Sequence, residues 1–97
     1  MRRDQVVRLL AEHRQDLSQF GVKSLALFGS VVRGEDRPGS DVDMLVEFEG
    51  AATFDRYVGL RFFLEDLLGA PVDLVTRKAL KPRLKPYVER EAQYVAD

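Results

Sequence analysis

Asp41 and Asp43 stand two residues apart in the stretch Ser40-Asp41-Val42-Asp43-Met44-Leu45-Val46, and a third aspartate, Asp73, lies inside a later apolar run. Upstream, Gly29 and Ser30 close an apolar run of their own, with ten residues between Ser30 and Asp41 and with Arg33 one helical turn beyond the serine. Grouped carboxylates repel one another and lose hydration, a cost that a hard divalent cation offsets by taking their oxygens as ligands. With Mg²⁺, such a set suits phosphoryl or nucleotidyl transfer, in which two ions about 3.5 to 4 Å apart stabilise the attacking and leaving oxygens. Asp41 and Asp43 would bridge the two ions, and Asp73 would hold the one beside the nucleophile. Gly29 lets the backbone approach a phosphate closely and Ser30 adds a hydroxyl. The amides opening a short helix supply further donors, and Arg33 adds charge for a departing pyrophosphate. Taken singly these features say little: Asp-x-Asp also occurs in turns and calcium loops, and Ser40-Asp41 also reads as a cap.

For these residues to meet, the elements that carry them must run in particular directions. From Gln5 to Phe20 the residues Val6, Leu9, Leu10, Leu17 and Phe20 recur at helical spacing, and Gly21 stands where a helix ends, so one helix is predicted. Its His13, the single histidine, reads as a surface or core-edge residue. Val22 to Phe28 reads as a strand buried on both faces, Val31 to Gly34 as a turn or two of helix, and residues 35–40 as a turn. A strand from Asp41 to Phe48 puts Asp41, Asp43, Leu45 and Glu47 on one face and Val42, Met44, Val46 and Phe48 on the other. Thr53 or Asp55 caps a helix running to Leu68, with Tyr57, Leu60, Leu64, Leu67 and Leu68 as its apolar stripe and Phe54, Val58 and Phe62 widening it. Val72 to Thr76 is a third strand. Pro82 and Pro86 break up the tail, which leaves a helix from Pro86 to Glu91 and an edge strand from Gln93 to Val95. Gly29-Ser30 leaves the first strand at its C-terminal end, whereas Asp41 and Asp73 enter theirs at the N-terminal ends. A single site therefore requires the first and second strands to be antiparallel and the second and third parallel, with the helix 54–68 as crossover.

The chain has 97 residues, 45% of them apolar, a net charge of -1 and no cysteine. A single domain over 1–97 with one packed core is expected. A disulfide framework, a zinc-cysteine site and a thiol nucleophile are excluded. No apolar run approaches the roughly 20 residues of a membrane span, and Met1-Arg2-Arg3-Asp4 leads into a charged amphipathic stretch. The expectation is a soluble, cytoplasmic protein with no membrane contact. Its balanced charge argues against direct nucleic-acid binding. One segment is uneven: Arg77, Lys78, Lys81, Arg83 and Lys85 follow one another with no acidic residue between Leu74 and Val88. This is either a solvated face or a patch, unpaired locally, that faces a partner or its bound nucleotide.

Taken together, Leu27-Phe28-Gly29-Ser30-Val31-Val32-Arg33-Gly34-Glu35, the stretch from Ser40 to Val46 and the strand-borne Asp73 resemble the signature of the DNA polymerase β-like nucleotidyltransferases. In length and layout the chain looks like a minimal nucleotidyltransferase (MNT), the type of antitoxin encoded beside a HEPN-domain toxin, and the resemblance extends from the first helix to about Tyr94. It implies an α/β (α+β) fold with a small mixed sheet in the order α-β-α-β-α-β-α. It also implies Gly29 and Ser30 at the nucleotide phosphates, and Asp41, Asp43 and Asp73 as catalytic Mg²⁺ ligands. The implied reaction moves AMP from ATP, or another NTP, to a tyrosine hydroxyl of a HEPN RNase toxin. The alternative is a non-catalytic antitoxin that neutralises its toxin by protein-protein contact alone. Larger relatives grip their substrates with an appended domain, which this sequence does not show, so the nucleobase and the number of transfers stay open.

Overall fold

A computed structural model describes residues 2–35 and 41–96; most of the turn expected over 35–40 lies outside them. The helices are α1 (Arg3–Glu12), α2 (Arg14–Gln19), α3 (Ser30–Arg33), α4 (Phe54–Leu68) and α5 (Lys85–Glu91), and the strands are β1 (Val22–Phe28), β2 (Val42–Phe48), β3 (Val72–Thr76) and β4 (Gln93–Ala96). A 3-10 turn at Arg77–Ala79 follows β3. The strands form one sheet in the order β3-β2-β1-β4, in which β1 is antiparallel to β2 and β4 while β2 is parallel to β3. These are the directions that a common site requires, with α4 as the crossover between β2 and β3.

Strand alternation divides the core in two. Val42, Met44, Val46 and Phe48 join Leu25, Leu27, Val72 and Leu74 under the helices, where Val6, Leu10 and Leu17 of α1 and α2 and Leu60, Leu64 and Leu68 of α4 are buried. The opposite face carries a thinner cluster, Ala26, Leu45 and Leu80, packed by Phe28, Val75, Val88 and Ala92. Asp43 alternates with Leu45, and Asp73 with Val75, so both aspartates lie on the thinly covered face shared with α5. Crossover helix α4 is fixed at both ends: the Thr53 hydroxyl accepts from Arg56 N at 3.2 Å, and Gly69, at φ 65°, takes the left-handed cap. Tyr57 Oη donates to Leu74 O at 2.5 Å and Val72 N donates to Glu65 Oε2 at 3.0 Å, which locks α4 onto β3.

Three expectations need correction. The first helix is interrupted at His13, whose backbone leaves helical geometry at φ -113° and ψ 27°. The ring explains the break: Nδ1 donates to Leu9 O at 2.9 Å, and the ring meets Phe63 edge-on at 6.3 Å, so the chain turns there to bring Leu17 into the core. Phe54 and Phe62 do not widen the apolar stripe of α4, since they are 78% and 66% exposed. Within the basic segment, Arg77 lacks a local partner but is paired in the fold and so is not left free to face a partner: it reaches Glu89 at 2.7 Å and Glu47 at 3.7 Å. Those partners are distant in sequence, which is why a local charge count misses them, whereas Lys78, Lys81 and Arg83 are exposed as expected. No helix among the described residues is long and apolar enough to cross a membrane.

The two phenylalanine and leucine environments on α4 give a direct contrast. Leu64→Ala, at a site with 0% exposure, is expected to cost about 2 to 5 kcal/mol in urea denaturation. Phe62→Ala should stay within about 0.5 kcal/mol of the parent; equal losses would place Phe62 in the core.

Candidate active site

At the end of β1 the antiparallel register sets Phe28 opposite Asp43, so the next residue, Gly29, lies beside the Asp43 side chain. Gly29 adopts φ 77° and ψ -150°, a conformation open in practice only to glycine. Space demands the same residue: a Cβ at Gly29 would collide with Asp43 Oδ2 and stand 2.9 Å from Cγ. From there the chain enters α3, where buried Val31 anchors the helix to the core and Gly34, at φ 73°, closes it.

The parallel register of β2 and β3 places Asp73 level with Asp43 on the neighbouring strand. Asp41, exposed, precedes β2, and Asp73 is exposed as well, whereas Asp43 is half-buried. Burial foremost, then the charge of Asp73, a side-chain hydrogen bond with Asp73 and the charge of Asp41, together push the Asp43 carboxyl up from 3.8 to about 6, while Arg33 works in the opposite direction. The residues singled out by spacing, Gly29, Ser30, Arg33, Asp41, Asp43 and Asp73, are thus gathered at one end of the sheet. Among the described residues, no three His, Cys, Asp or Glu side chains are grouped as a ready-made cation site.

Glu91, the last residue of α5, is a member of this neighbourhood that sequence reasoning misses. Gly29 N donates to Glu91 Oε1 at 2.8 Å, and Arg33 Nη1 donates to both carboxylate oxygens, at 3.1 and 3.0 Å. Arg33 Nε donates to Glu35 in addition. The one local signal for Glu91 is its place at a helix C-terminus, where negative charge is disfavoured unless donors elsewhere compensate it. Beyond Arg33, a cavity of about 350 Å³ lies between the start of α1 and α3, lined by Arg2, Arg3, Asp4 and residues 31–34.

The sequence model of the family described as Nucleotidyltransferase domain matches residues 8–95. The chain belongs to that family. This nucleotidyltransferase is 41% identical over 93 residues to protein adenylyltransferase MntA of Thermococcus cleftensis, covering 95% of this chain and 94% of the relative. A solved structure presented as a minimal nucleotidyltransferase superposes with a TM-score of 0.83 at 39% identity, covering 96% of this chain and 95% of the other. At 20% identity the fold is also shared, with a TM-score of 0.66, by a chain of the complex between the tri-AMPylated HEPN toxin of Shewanella oneidensis and an MNT antitoxin; 92% of this nucleotidyltransferase and 71% of that chain are covered. The mixed sheet with its flanking helices is therefore the polymerase β-like nucleotidyltransferase fold, and the chain is an enzyme of that class.

The raised Asp43 pKa has a defined consequence for stability. A folded-state value of about 6 against an ordinary 3.8 means that the folded protein holds a proton that the unfolded chain has released. The contribution of Asp43 to stability is then full below about pH 4 and is lost as pH rises through about 6. Asp43→Asn, which imitates the protonated group, should melt with the parent near pH 4 and above it at pH 7.5, both without divalent cation. A constant difference across that range would show that Asp43 titrates normally.

Proposed function

We propose that this nucleotidyltransferase is a Mg²⁺-dependent antitoxin that transfers AMP from ATP to a tyrosine hydroxyl of a cognate HEPN RNase toxin and thereby silences it. The carrying observation is the seat of Asp43: half-buried, set against a glycine that leaves it room, and level with Asp73 on the next strand. The relative named protein adenylyltransferase and the fold shared with a chain of the MNT antitoxin and AMPylated HEPN toxin complex support transfer to a protein and the class of partner.

In its chemistry, though not as a ready-made cage, the donor set fits a hard divalent cation, because all its members are carboxylate oxygens and Asp43 is held at a raised pKa by burial and by neighbouring negative charge. Asp41, Asp43 and Asp73 would hold it. When bound, such a cation lowers the pKa of an attacking hydroxyl and offsets charge on the phosphate. The chain's own residues do the rest. Gly29 and Ser30 offer backbone amide and hydroxyl donors to the triphosphate, and Arg33 offers its guanidinium. A carboxylate of the aspartate set receives the proton that the tyrosine hydroxyl loses. The tyrosyl oxygen bonds to the α-phosphorus as the bond between that phosphorus and the β-phosphate bridging oxygen breaks, and pyrophosphate departs beside Arg33.

Mass spectrometry of the partner after incubation with ATP and Mg²⁺ tests this reading. The parent should add AMP-sized masses to a tyrosine peptide. Asp41→Ala and Asp43→Ala should abolish transfer, whereas Ser30→Ala should weaken ATP use and leave residual turnover. A partner that is neutralised with its mass unchanged would replace the enzyme with an antitoxin acting by contact alone.

A further inference from the structure

Glu91 occupies a position that an anionic ligand would also want. Its carboxylate receives the Gly29 amide at 2.8 Å and is held by both of its oxygens on Arg33 Nη1, at 3.1 and 3.0 Å. These partners lie 62 and 58 residues away in sequence, and the side chain is 29% exposed, so the contact is a tertiary one at the mouth of the loop. A backbone amide and a guanidinium converging on one anionic group are the donors that also recognise a phosphate oxygen.

We propose that the Glu91 carboxylate fills the seat of a substrate phosphate, so that a nucleoside triphosphate must displace it and Glu91 sets the affinity for nucleotide. The inference rests on the reading above, that Gly29 and Arg33 receive the phosphates of the substrate. The Gly29 N–H carries a single hydrogen and cannot serve a carboxylate and a phosphate together at full strength. Arg33 can change partners without leaving its place, because Nε stays with Glu35 while the ligand replaces Glu91 at Nη1. A carboxylate left in the seat would repel a polyanionic tail across a few ångströms. The exchange therefore favours ligands that bring several negative charges and gives nothing to a nucleoside without phosphate.

Calorimetric titration of the parent, Glu91→Gln and Glu91→Ala with ATP in the presence of Mg²⁺, with tripolyphosphate, and with adenosine tests this. Glutamine keeps the acceptor oxygen for Gly29 and removes the charge, so Glu91→Gln should fold even where Glu91→Ala does not. Both variants should bind ATP and tripolyphosphate about tenfold more tightly, the scale of one charge-assisted hydrogen bond, with adenosine unchanged. In NMR spectra the Gly29 amide resonance of the parent should move on adding ATP or tripolyphosphate, and it should also move on removing Glu91. Equal or weaker binding of ATP by Glu91→Gln, at an unchanged melting temperature, would make Glu91 a positioning residue for the loop and overturn the proposal. Binding of ATP by neither the parent nor Glu91→Gln would overturn the reading of the nucleotide site as well.

Discussion

A carboxylate held half-buried between a strand neighbour of like charge and a glycine backbone is the constraint on which the rest of this structure depends. Asp43 can occupy that place only if β1 and β2 pair with Phe28 opposite it, because that register puts Gly29 under its oxygens. It meets Asp73 only if β3 runs parallel to β2, and a parallel neighbour requires a crossover, which α4 supplies over the helical face of the sheet. The glycine required for space has a backbone conformation that also starts α3, and α3 carries Arg33 back toward the carboxylates.

Holding Asp43 there disfavours its ionised form, and the burial elsewhere must outweigh that cost. The main apolar cluster lies on the other face, where leucines and valines from four helices and four strands are nearly or fully inaccessible. The face that bears the aspartates has a smaller cluster, completed by Leu80, Val88 and Ala92 from the tail. One consequence joins stability to chemistry. The tail that completes the thin core also brings Glu91 to Gly29 and Arg33, so the element that closes the fold touches the loop that starts α3. Local positive charge is shared out in the same way: Arg33 serves Glu35 and Glu91, and Arg77 serves Glu47 and Glu89. Arg77, whose charge looks unbalanced along the chain, is balanced by Glu47 of β2 and Glu89 of α5.

Much of this was legible in the amino-acid sequence because it follows from short-range periodicity. Alternation in β2 separates Asp43 and Leu45 from Met44 and Val46, and the two faces found in the structure divide in that way. The positions of Gly29, Asp41 and Asp73 at particular strand ends leave one set of strand directions compatible with a common site, and those directions are present. What escaped depends on contacts between distant residues. His13 marks the break in the first helix where its ring meets Phe63 of α4, and helical periodicity continues through it undisturbed. Phe54 and Phe62 have the hydrophobicity of core residues and stay outside, since hydrophobicity does not say how wide a face the sheet can cover. Glu91 was marked locally only by its place at a helix C-terminus, and its partners are 58 and 62 residues away.

The central claim is that Asp43 is strained electrostatically toward protonation, a strain that the proposed divalent cation would relieve. Carboxyl-carbon NMR titration of Asp43, in the folded protein with and without saturating Mg²⁺, measures this at the atom concerned. The account predicts a midpoint at about 6 in the absence of cation and a fall toward or below the ordinary aspartate range when Mg²⁺ is present. A midpoint near 3.8 without metal, or one near 6 that Mg²⁺ leaves unmoved, would contradict it.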